Sequence, residues 1–181
     1  MAPTTIYCIR HGQAWHNLHV ANHAIRDPSL TSWGEHQCHE LSSNFPHKTE
    51  IDLIVASPIV RTLNTALLTF EDVIKSKNLK VLALPELQET SDLPCDTGIP
   101  PEELAKKFEG QPVDLSLVKP GWESKQGKFA TTAVAIEARA REARQWVAAR
   151  PEKVVVVVTH GSCISSPLRD SISLTFFGFS S

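Results

Sequence analysis

The sequence contains no C-x-x-C pair: Cys8, Cys38, Cys95 and Cys163 stand far apart. That excludes the common thiolate metal and redox motifs, and it fits reduced thiols better than a disulfide framework. No purely apolar run exceeds residues 154–158 (VVVVV), far short of the roughly 20 residues a membrane-spanning helix needs. The first residues lack a basic segment followed by a long apolar one, so no secretory signal is expected and a cytoplasmic location follows by default. A basic stripe is missing as well. The 18 Lys and Arg are scattered among 20 Asp and Glu, for a net charge of -2, which argues against nucleic acid and anionic membrane as partners. Repeats, low-complexity tracts and disordered-type windows are absent too. What remains is a 181-residue chain with 41% apolar and 21% charged residues, suited to one domain over 1–181 with a sizeable core.

Residues 6–9 form a short apolar run that leads into Arg10-His11-Gly12, a strand followed by a loop. Residues 51–56 (IDLIVA) repeat the design. Ser57-Pro58 then supplies an N-cap residue and a proline suited to the first helical position, so a helix is predicted from Pro58. Residues 81–84 are a third apolar run, and residues 85–101, with four prolines and a glycine, read as a long irregular and therefore functional segment. Over 131–150, Ala133, Ile136, Ala140, Ala143 and Val147 step by three and four, one face of a helix. Glu137, Arg139, Arg141, Glu142 and Arg144 are its predicted wet face, with Glu137 and Arg141 as an i, i+4 pair. The valine run at 154–158 does not alternate, as expected of a parallel strand buried on both faces. Strands alternating with helices predict an α/β fold, a three-layer α/β/α sandwich with a mostly parallel sheet whose ligands sit beyond the carboxyl ends of the strands.

Three of these predicted strands deliver cationic or titratable groups just past their ends: Arg10 and His11, then Arg61, then His160. Arg61 lies about one turn into its helix, so its guanidinium and the helix N-terminus suit one anion. Phosphoryl transfer needs an in-line nucleophile and positive groups on the equatorial oxygens, and the planar fork of arginine binds such oxygens bidentately. Imidazole serves as the nucleophile because a neutral ring nitrogen is available near pH 7. The leaving alkoxide needs a proton, and the irregular segment offers Glu86 and Glu89.

These residues carry a resemblance. Arg10-His11-Gly12 resembles the RHG signature of the histidine phosphatase (phosphoglycerate mutase-like) superfamily, and Thr159-His160-Gly161 resembles its second histidine. Asn17 matches the polar residue several positions after RHG, Leu30-Thr31 to Gly34 resembles the LTxxG segment, and Ser57-Pro58 to Arg61 matches SPxxR. Leu87-Gln88-Glu89 resembles the LxE element, which favours Glu89 over Glu86 as the acid and leaves Glu86 as the fallback. Pro94-Cys95-Asp96-Thr97-Gly98 is similar to a variant in fungal phosphoglycerate mutase-like proteins and makes Thr97 a candidate for touching substrate. The resemblance covers about residues 4–164. It implies a phosphohistidine at His11, phosphate held by Arg10, Arg61 and His160 with help from Asn17 and Thr97, and Glu89 as proton donor to the leaving group. The implied substrate is a small phosphorylated molecule, with no metal and no organic cofactor.

The spacing of His16, His19 and His23, with His36 and His39, suggests a metal face, but no cysteine or carboxylate at ligand spacing completes a site. Phosphatase and mutase share the first half-reaction; the chain lacks the insertions expected of a glycolytic mutase, which favours the hydrolase. The alternatives are a mutase-type phosphotransferase and a non-catalytic domain that keeps only the phosphate pocket. Segment 162–181 departs from the family pattern: Ser165-Ser166-Pro167 interrupts a helix and the end is aromatic. An altered or truncated end that leaves an apolar surface uncovered is the expectation there.

Overall fold

The computed structural model describes residues 3–161 and 173–177. Its six strands are β1 (Thr5–Arg10), β2 (Leu53–Ala56), β3 (Val81–Ala83), β4 (Val113–Asp114), β5 (Val154–Thr159) and β6 (Ser173–Phe177). They form one sheet in the order β4-β3-β2-β5-β1-β6, and every paired neighbour is parallel. Parallel strands need crossovers, and helices supply most of them: α1 (Ser32–Asn44), α2 (Val60–Thr69), α3 (Glu71–Lys77), α4 (Pro101–Lys107) and α5 (Ala133–Ala148).

The predicted layers are present because side chains alternate along each strand. Tyr7, Ile9, Ile54, Ala56, Val156 and Val158 point into a core shared with Val60, Leu63 and Ala66 of α2 and Val73 and Ile74 of α3. Ile6, Cys8, Val55, Val155 and Val157 point the other way, onto Ala143 and Val147 of α5. All six residues of β5 are buried, as the valine run predicts.

Three expectations change. Helix α2 starts at Val60, not Pro58. Ser57 does not cap it; the amide of Val60 donates instead to Oδ1 of Asp27, at 2.9 Å, from a loop distant in sequence. Arg139 is not on the wet face of α5 but only 2% exposed, with Nη2 donating to the carbonyl of Glu89 at 3.3 Å. The Glu137–Arg141 pair does form on that face, at 3.5 Å.

The aromatic end does not leave Phe177 uncovered. β6 extends the sheet beside β1, and Phe177 packs at ring-centroid distances of 5.0 Å from Phe45 and 6.0 Å from Tyr7. The expected helix break at 165–167 lies outside the described residues, as does Cys163. Cys8, Cys38 and Cys95 are free and buried. Among the described residues no helix is long and apolar enough to cross a membrane.

Candidate active site

Because the sheet is parallel, β1, β5 and β2 end at one edge, and the residues just beyond them meet. His11 is 3% exposed and His160 fully buried, with ring centroids 5.3 Å apart. Backbone bonds from His11 N to Thr159 O and from Ser57 N to Val158 O, both 3.0 Å, carry the ladder past the strand ends and fix these loops.

Each ring nitrogen has an assignable role. Nδ1 of His11 lies 2.7 Å from the carbonyl of Gly12, which can only accept, so Nδ1 carries the proton. Nε2 is then the lone-pair nitrogen, and it accepts from Nε of Arg61 at 3.1 Å. His160 takes the opposite tautomer: Nδ1 faces Nη2 of Arg61 at 3.3 Å, and Nε2 donates to Oγ of Ser57 at 3.0 Å. Burial first, and Arg61 second, push both imidazoles well below their ordinary pKa, so both are neutral near pH 7.

Arg61, 0% exposed, is the hub. Besides the two imidazoles, Nη1 donates to Cys95 O at 2.6 Å and Nη2 to Asp96 Oδ1 at 3.0 Å. Oε1 of Glu89 lies 3.9 Å from Nη2 of Arg61 and 3.5 Å from Nδ1 of His160. The carbonyl of Glu89 is held by Nζ of Lys125 at 2.9 Å and by Arg139, and buried Gln88 beside it donates to Trp122 O at 2.7 Å. Arg10, the last residue of β1, is half-buried, and its Nε is buried without a hydrogen-bond partner among the described residues.

The site thus gathers His11, Arg61, Glu89 and His160, with Arg10 beside them. Glu86 is elsewhere, paired with Lys128 at 2.5 Å. Asn17 stays in the loop after His11, where Oδ1 accepts from Ala14 N at 2.9 Å and Nδ2 meets His16. Thr97 turns its hydroxyl back to Leu93 O at 3.0 Å, and its neighbour Asp96 faces the arginine instead. Asp96, Ser57 and Arg139 carry no site role in the sequence reading; in the turn that the C-D-T-G run marks, Asp96 is the residue that meets Arg61.

His11, Glu89 and His160 offer ligand atoms within 4.8 Å of one another. A cation there would face the guanidinium that already donates to both imidazole lone pairs, and the repulsion in so buried a place is large. The arrangement suits an anion. Of the histidine row, His16 lies 6.5 Å ring to ring from His23, and the ring of His36 lies 5.0 Å from that of Trp33.

Two glycines of the resembling motifs share one cause. A Cβ on Gly34 in α1 would lie 2.0 Å from Gln13 O, and one on Gly12 would lie 2.8 Å from Gly34 O. The loop after His11 packs backbone to backbone on the start of α1, where Thr31 caps Gly34 N at 3.0 Å.

The model of the histidine phosphatase superfamily (branch 1) matches residues 6–176. The chain belongs to that superfamily. A probable phosphatase from Schizosaccharomyces pombe is 33% identical over 159 residues, which cover 87% of this chain and 74% of the relative. Among solved structures, the ecdysone phosphate phosphatase from Bombyx mori, in complex with tungstate, superposes with a TM-score of 0.58 at 18% identity, covering 86% of this chain and 72% of that one. A phosphoserine phosphatase from Entamoeba histolytica, in complex with phosphoserine, gives 0.52 at 25% identity, covering 87% and 74%. This histidine phosphatase superfamily member therefore shares its parallel-sheet fold with proteins named as phosphatases.

Proposed function

We propose that the chain is a phosphomonoester hydrolase that works through a phosphohistidine at His11 on a small phosphorylated molecule in the cytoplasm. The observation that carries the reading is the hydrogen-bonded cluster at one sheet edge, in which a neutral imidazole nitrogen, Nε2 of His11, faces a buried arginine. In the first step that lone pair attacks phosphorus in line, the P–O ester bond breaks, and the departing oxygen takes a proton from the Glu89 carboxyl. Arg61, Arg10 and His160 hold the equatorial oxygens and their charge. In the second step water attacks the phosphohistidine, the N–P bond breaks, and Glu89 takes the proton from the water. Inorganic phosphate leaves and Nε2 of His11 regains its lone pair.

The test is steady-state hydrolysis of p-nitrophenyl phosphate with EDTA present, by the wild type beside His11→Ala. Turnover that survives the chelator and falls at least about 1,000-fold in the variant, with an acid-labile phosphoryl label on the wild type alone, is the expected result. Equal turnover by both proteins rules the phosphohistidine route out.

A further inference from the structure

The loops beside this site carry exposed apolar side chains. Trp15, Leu18, Val20 and Ile25 are 43 to 71% exposed, and they lie in or directly after two 3-10 turns, Trp15–Asn17 and Val20–Ala24, that follow His11. The ring of His16 lies 5.6 Å from that of His11. Asn22 ties the turns together through Trp15 O at 2.8 Å. On the other side, Asp27 N donates to Pro94 O at 3.3 Å, joining this rim to the Pro94–Asp96 turn that holds Arg61. That turn begins after Leu93, which is 43% exposed.

Charge is equally informative. Residues 15–25 (WHNLHVANHAI) contain no Asp, Glu, Lys or Arg. Arg26 directs both Nε and Nη2 at Gly98 O, at 3.0 and 2.7 Å. Burial, then Arg61, push His16 down to about 4, so it too is uncharged near pH 7. Asp92, next to Leu93, is an exposed acid that repels a second anionic group.

Attack by Nε2 of His11 expels the ester oxygen on the far side of phosphorus, so the group carried on that oxygen extends from the pocket towards its mouth. We infer that the substrate's alcohol is an uncharged hydrocarbon or aromatic group that lies on the Trp15, Leu18, Val20 and Leu93 rim, and that esters with a second anion are poor substrates. The inference rests on the phosphatase reading above. Removing apolar surface from water is its driving force, and the lack of a Lys or Arg in residues 15–25 to meet a second anion is its selectivity; Lys125, beside Glu89, is tied to the Glu89 carbonyl at 2.9 Å.

The experiment is phosphate release from the series ethyl, butyl, hexyl and octyl phosphate, with phosphoglycolate, a phosphate ester carrying one carboxylate and no cation, as the short doubly anionic comparison and His11→Ala as the blank. On the wild type, kcat/KM rises about twofold per methylene, where complete burial would give roughly fourfold, and octyl phosphate exceeds phosphoglycolate. The double variant Val20→Ser with Leu93→Ser loses about tenfold on octyl phosphate. Val134→Ser, on the distant exposed face of α5, keeps the wild-type series. A flat series, phosphoglycolate ahead of octyl phosphate, or an unchanged slope in the double variant overturns the inference while the phosphatase reading stands. No His11-dependent release from any ester overturns both.

Discussion

Replacing Gly34 by alanine should destabilise the protein and displace His11, the proposed nucleophile, against the trend of helix propensity. Gly34 is the third residue of α1, and Gly to Ala inside a helix ordinarily stabilises by about 1 kcal/mol. Here the added Cβ would lie 2.0 Å from Gln13 O and 2.9 Å from Gln13 C, whereas ordinary contact begins at 3.4 Å. The two backbones must part by the difference, roughly 1.4 Å, and a carbonyl cannot rotate away as a flexible side chain can. Overpacking of this kind costs about 3 kcal/mol at the upper end of its usual range. Subtracting the propensity gain leaves about 2 kcal/mol, or a fall in Tm of about 4–8 °C for a domain of this size. Gln13 is two residues from His11, so a shift of that size should also lower kcat/KM about 100-fold, well below the melting transition. Gly12→Ala, whose Cβ would lie 2.8 Å from Gly34 O, should lower Tm by less. Thermal melts followed by circular dichroism, with kcat/KM on p-nitrophenyl phosphate at 25 °C, read both effects. Gly34→Ala at wild-type Tm and kcat/KM would refute the reasoning, as would a larger Tm loss for Gly12→Ala.

Glu89→Gln should lower kcat/KM, which runs only through departure of the alcohol, on an alkyl phosphate by about 100-fold or more, and by much less on p-nitrophenyl phosphate, whose phenolate leaves without a proton. Glu86→Gln should leave both rates unchanged, since Glu86 pairs with Lys128; equal losses in the two variants on both esters would remove Glu89 from the proton-donor role. Asp27, only 7% exposed, is pushed up to about 6 from 3.8 by burial, so the folded state holds a proton that the unfolded chain has lost. Its stabilising contribution is full below about pH 4 and falls as pH rises to 6, a change of about 3 kcal/mol. Buried His11 and His160 act in the opposite sense, since their depressed folded pKa lets the unfolded chain bind protons below 6.5. The difference between Asp27→Asn and wild type in urea unfolding isolates the first term: the variant should gain about 3 kcal/mol relative to wild type from pH 4 to pH 7. A flat difference curve would refute it.

What the sequence reveals here follows the range of the interaction. The valine run of β5 is readable because burial on both faces of a parallel strand leaves an unmixed apolar segment, and the histidines are readable because each follows such a run. The start of α2 differs from the Pro58 expectation because Oγ of Ser57, a good N-cap type, accepts from Nε2 of His160, while Asp27 from a distant loop meets the helix amide. Arg139 was misread because its residue type fits a wet helix face, whereas its partner, the backbone carbonyl of Glu89, has no signature in sequence. Asp96 and Thr97 differ by one position in a turn, and which of them faces Arg61 is decided by tertiary packing. The β6 strand was missed because Ser173–Phe177 takes its place from pairing with β1, a contact across nearly the whole chain.

On the proposed mechanism, the contact between Nε of Arg61 and Nε2 of His11 cannot persist through the reaction, because the lone pair it occupies must reach phosphorus. An incoming phosphoryl oxygen is charged and accepts a hydrogen bond more strongly than a neutral imidazole does. The guanidinium therefore exchanges one acceptor for a better one as the electrophile arrives, and the nucleophile is uncovered at that moment. Cys95 O and Asp96, Oδ2 of which accepts from Ser91 Oγ at 2.6 Å, grip the other edge of the guanidinium. They keep it from following the phosphate outwards. The same two acceptors offset part of the cost of a fully buried arginine when no anion is bound.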